Sequence, residues 1–137
     1  MRICNGRCNQ VKRGRAGAIF AALALVLVAV VPLDPVGHAH WGKVALIPFV
    51  SPPVRLLDVL GNLLLGVPAG LASSWGFRRG VLAAVLLTTP VSLLGEWTQL
   101  YSHSRFPSAT DVVCNVAGAM IAAAAYSAVM RRRGDTR

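Results

Sequence analysis

Glu96, Gln99, Arg105, Asp111 and Asn115 fall within twenty residues of a chain otherwise rich in Ala, Val, Leu and Gly. These residue types can do chemistry together. Carboxyl groups can exchange protons in a general acid/base pair. A guanidinium holds a carboxylate or phosphate through two parallel hydrogen bonds. Amides supply both donors and acceptors. Upstream, Asp58-Val-Leu-Gly-Asn62 repeats the acid–amide spacing of Asp111-Val-Val-Cys-Asn115, and a separation of four puts both members on one helical face. Plainer roles stand beside these. Asp111 can cap a helix, Asp58 can pair with Arg55 three residues earlier, and the amides can bond between helices.

The elements that must position these groups follow from composition. Of 137 residues, 55% are hydrophobic and 14% charged, against about 25% charged in ordinary soluble domains. The mean hydropathy is +0.58. Apolar runs cover 16–32, 56–77, 80–101 and 111–130, and about 20 residues span a bilayer. The expected fold is therefore all-α, a polytopic bundle of four transmembrane helices in the cell membrane. A basic tail at 1–15 precedes the membrane domain at 16–130, and a second basic tail follows at 131–137.

The net charge of +9 is distributed as a membrane topology rather than as a nucleic-acid footprint. Of fourteen Lys and Arg, five precede the first run, two separate the second and third, and four follow the fourth. Eleven thus share one side, which by the positive-inside rule places both termini in the cytoplasm. A cleaved signal peptide is the alternative for the first run. Its long apolar core, with no Ala-x-Ala site after it, argues for an anchor.

Proline near 52–53 suits the first turn of the second helix. The sequence Ser108-Ala109-Thr110-Asp111 fits a capping box at the start of the fourth. Gly66-Val-Pro-Ala-Gly70 is a small-residue packing face with a kink-forming proline. Trp97 and Tyr101, four apart, and Trp75 read as headgroup-level anchors. Cys4 and Cys8 are too few to hold a metal, and Cys114 reads as a small apolar residue. His38, His40 and His103 have zinc-ligand chemistry if their loops meet, but loop histidines are commonly solvated. No metal and no cofactor is expected.

With these spans, Glu96 lies five residues before Tyr101, about 7 Å deeper at 1.5 Å per residue. Asp58, Asn62, Glu96, Gln99, Arg105, Asp111 and Asn115 then share one layer at the outer surface, drawn from three helices and a loop. An intramembrane carboxylate needs a partner, and Arg105 is the cation nearest to Glu96 in sequence.

In these residues the chain resembles the VanZ-like family of small bacterial membrane proteins. The resemblance runs over 44–126 and rests on Glu96-x-x-Gln99, Arg105 and Asp111-x-x-x-Asn115-x-x-Gly118. Ile47-Pro48-Phe49, Asn62 and Pro68-Ala69-Gly70 join it upstream. Unlike many members, this chain has no acid between Arg105 and Asp111. The family takes its name from a protein associated with low-level teicoplanin resistance. The resemblance therefore implies a membrane protein contributing to glycopeptide (teicoplanin-type) resistance, and its polar cluster at the outer surface is placed to bind an amphiphile or lipid headgroup. Its partners would be membrane lipid and a lipidated glycopeptide or lipid-linked envelope precursor. The alternative is an intramembrane enzyme acting on such a precursor through Glu96, Asp111 and Arg105.

Overall fold

The computed structural model describes residues 35–50 and 54–135, together with nine helical positions between Lys12 and Leu27. The first expected span, 16–32, lies mostly outside the described residues, as do Cys4 and Cys8. Three helices follow: α1 (Leu56–Gly76), α2 (Gly80–Gln99) and α3 (Ala109–Asp135). They correspond to the second, third and fourth expected spans. Each is long and apolar enough to cross a membrane. A single 3-10 turn, Trp41–Lys43, precedes them.

Helix boundaries depart from expectation at three places. α1 starts at Leu56 rather than near the prolines, because Arg55 is extended and its carbonyl accepts the Asp58 and Val59 amides. α2 stops at Gln99, so Tyr101 lies beyond the helix, its amide turned back to Thr98. α3 continues through Arg131–Arg133, where no proline intervenes and Arg131 Nε donates to the Ser127 carbonyl at 3.4 Å.

The bundle is built with small residues inside and leucine outside. Leu57 is 80% exposed and Leu64 68%, whereas Ala69, Ala84, Ala119 and Ala123 are at most 1% exposed. Lipid removes the hydrophobic drive between helices, so close backbone approach supplies the packing instead. α1 and α3 run parallel and meet along glycines. A Cβ at Gly66 would collide with the Asn115 carbonyl, one at Gly70 with the Ala119 carbonyl, and one at Gly118 with the Leu63 carbonyl. The Gly66–Gly70 face thus packs as its sequence suggests. Ser74 Oγ ties the same pair of helices by donating to the Ala123 carbonyl at 2.9 Å. α2 lies against both, with Ala84 packed on Ala119 and Ala123.

Two short backbone pairings fasten the segment 35–50 to the loop between α2 and α3. Val36 N–H donates to the Tyr101 carbonyl, and His40 N–H to that of Leu100. Ala45 donates to the Pro107 carbonyl and accepts from the Ala109 amide. These bonds lie at the end of the bundle where α1 and α3 begin and α2 ends.

Candidate functional site

A cavity of about 420 Å³ opens at that end. Five of the seven residues of the expected cluster line it: Asp58, Asn62, Gln99, Arg105 and Asp111. Ser104 adds a hydroxyl, and Leu57, Gly61, Leu65 and Phe106 complete the wall. The α1 contribution is a helical stripe, since positions 58, 61, 62 and 65 recur on one face. The wall is open at Gly61, where a Cβ would meet no atom within 4 Å.

Gln99, the last residue of α2, is buried, while Asp58 and Arg105 stand exposed at the mouth. The turn carrying Arg105 is held by Ser102, which is fully buried and whose Oγ accepts the Arg105 amide at 3.3 Å.

Glu96 and Asn115 do not line the cavity. Glu96 finds its partner in a backbone amide rather than in the Arg105 guanidinium. Its Oε2 accepts the Ser108 N–H at 2.6 Å. Ser108 is the residue before α3, and its Oγ accepts the Thr110 amide at 3.2 Å. In a capping box, the acid three residues on reaches back to the cap residue's own N–H. That acid is Asp111, yet Glu96 from α2 occupies the position instead. Asp111 is thereby left to face the cavity. Asn115, one turn further along α3, is buried, and its Oδ1 has no hydrogen-bond partner among the described residues. The echo between 58–62 and 111–115 thus holds for the acids, which both line the cavity, and not for the amides, of which only Asn62 does.

Phe106 divides the cavity from a basic patch. Lys43 Nζ sits 4.3 Å from the ring centroid, and the His40 ring meets it edge-on at 6.4 Å. The loops of the three histidines do meet. The His38 and His40 rings are 4.8 Å apart, and His40 and His103 are 6.2 Å apart. Among the described residues, no group of three His, Cys, Asp or Glu is placed to hold a metal ion.

The cavity therefore offers one guanidinium, two carboxylates, two amides and a hydroxyl at one end, with Leu57 and Leu65 alongside. A guanidinium can bind an anion, and carboxylates can accept from amine or hydroxyl donors. Ser104 stands beside Arg105 as a weak nucleophile candidate in the sequence, whereas Leu57, Phe106, Gly61 and Leu65 were missed. Gly61 and Leu65 were findable, because they complete the helical stripe begun by Asp58 and Asn62.

Residues 18–131 match the family model described as VanZ/LLP1. No curated protein and no solved structure matches the chain.

Proposed function

The chain belongs to the VanZ/LLP1 family, and from that premise and the cavity we propose a membrane protein that binds the headgroup of an amphiphile. The observation that carries the reading is the mixed wall of the cavity, with Arg105, Asn62, Gln99 and Asp111 beside Leu57 and Leu65. Intramembrane ionisable groups that face a cavity are binding-site candidates by default, because turning them to lipid is costly. The ligand class is an amphiphile whose polar end has both an anionic group and hydrogen-bond donors. A lipidated glycopeptide such as teicoplanin and a lipid-linked envelope precursor both meet that description. With the basic segments in the cytoplasm, the cavity faces the outer leaflet, where either molecule would be encountered.

The enzymatic alternative through Glu96, Asp111 and Arg105 has less behind it. Glu96 is engaged by the Ser108 amide and is not part of the cavity wall.

The test is equilibrium binding of teicoplanin to the protein in phosphatidylcholine vesicles, compared with Arg105→Gln and Asn62→Leu. Arg105 is exposed, so its replacement should spare the fold while weakening binding by about 2 kcal/mol, the scale of a hydrogen bond to a charged group. Binding that both variants leave unchanged would refute this site.

A further inference from the structure

Between Lys43 and Arg55 the sequence runs eleven residues without a charge. The described part, 44–50, carries its backbone inward and its side chains outward. Ala45 is paired to Pro107 and Ala109, and Phe49 N–H donates to Thr110 Oγ1 at 3.0 Å. Phe49 has φ 63, a left-handed backbone that bulky side chains rarely adopt. Meanwhile Leu46 is 77% exposed and Phe49 56%, with Ile47 and Val50 equally open. Four large apolar side chains in a short anchored segment form a patch that water would not tolerate cheaply.

Its surroundings identify what covers it. A few residues on in sequence, Leu56, Leu57, Leu60 and Leu64 are exposed on α1, a helix long and apolar enough to cross a membrane. Lys43 and Arg55 bracket the patch, and basic side chains at the edge of an apolar stretch reach for lipid phosphates. Beside it Trp41 and Trp97, both exposed, meet edge-to-face at 6.0 Å. Indole rings concentrate at the headgroup level. We propose that the segment 44–50 is immersed in the bilayer interface at the cavity end of the bundle, with Leu46, Ile47, Phe49 and Val50 among lipid chains. Its backbone is bonded to both sides of Ser108 and to Thr110, so its immersion fixes the depth of the cavity mouth in the leaflet. The inference holds whatever the cavity binds.

Single cysteines at Ile47, Val50 and Gly37, each carrying an environment-sensitive nitrobenzoxadiazole label, test it in phosphatidylcholine vesicles containing phosphatidylglycerol. The background is full-length protein with Cys4, Cys8 and Cys114 replaced by alanine. Gly37 is the aqueous reference, since it is exposed and lies in sequence between Asp34 and His38, outside the uncharged run 44–54. The labels at 47 and 50 should emit to the blue of that at 37. They should also be quenched by nitroxide-bearing phosphatidylcholine and several-fold less by aqueous iodide. Iodide quenching at 47 and 50 equal to that at 37 would overturn the proposal. So would a blue shift that disappears as the protein is diluted in lipid, which would mean that a second copy covers the patch.

Discussion

Replacing in turn Glu96, near the end of α2, and Asp111, at the start of α3, separates the bond the structure shows from the one the sequence suggests. Glu96 Oε2 accepts the Ser108 amide at 2.6 Å, and Glu96→Ala removes that acceptor while leaving the donor partly buried. A hydrogen bond to a charged group contributes about 1.5–3 kcal/mol, and an amide left unpaired costs about 1–3 kcal/mol. These describe the same loss from two sides, so the expected destabilisation is about 2–3 kcal/mol. That is a change of roughly thirty- to a hundred-and-fiftyfold in the unfolding equilibrium. Glu96→Gln keeps a neutral bond in place and should lose only the difference between a charged and a neutral bond, about 1 kcal/mol. Asp111 has no such bond. Asp111→Ala forfeits chiefly its favourable charge near the helix N-terminus, about 0.3–1 kcal/mol. Reversible unfolding in mixed micelles titrated with dodecyl sulfate, followed by circular dichroism, gives the ordering. Asp111→Ala as costly as Glu96→Ala would refute the interhelical cap, as would a Glu96→Ala protein as stable as its parent.

The glycine seam should tolerate nothing larger. Gly66→Val, Gly70→Val and Gly118→Val drive side chains into facing backbone, so each should cost about 3 kcal/mol or more in the same assay. Gly61→Ala has open space and should be neutral or stabilising by up to about 1 kcal/mol from helix propensity. Ser74→Ala removes an interhelical bond of 2.9 Å and should cost about 0.6 kcal/mol, and no more than about 1.7. Arg105→Gln should change stability by less than about 0.5 kcal/mol, as surface substitutions do, while weakening teicoplanin binding to vesicles.

The spans were legible because lipid imposes a length and a polarity on any segment that crosses it. The 56–77, 80–101 and 111–130 runs all became helices, and their errors are confined to ends. Those ends are set by local backbone bonds that apolar content does not report. The Arg55 carbonyl starts α1 at Leu56, three or four residues past the prolines, and the turn from Thr98 to Tyr101 ends α2 early. Likewise, Arg131–Arg133 extend α3 because arginine is a good helix former, although charge had marked them as a tail.

The candidate site was half legible for a different reason. Side-chain types and helical spacing located Asp58, Asn62, Gln99, Arg105 and Asp111 around one cavity. What they could not supply was Glu96's partner. A carboxylate in an apolar segment calls for a donor, and the sequence displays its cations but hides its amides. Arg105 was therefore the visible choice, whereas the Ser108 N–H, unpaired at the start of a helix, was the nearer one in space. This exchange of partners has a consequence for the cavity. A pair between Glu96 and Arg105 would have spent the one lining cation among the described residues, and a capping Asp111 would have spent one of the two acids. Because a backbone amide satisfies Glu96, both Arg105 and Asp111 stay on the cavity wall. The same bond joins the end of α2 to the start of α3, which holds the two sides of the cavity wall in place.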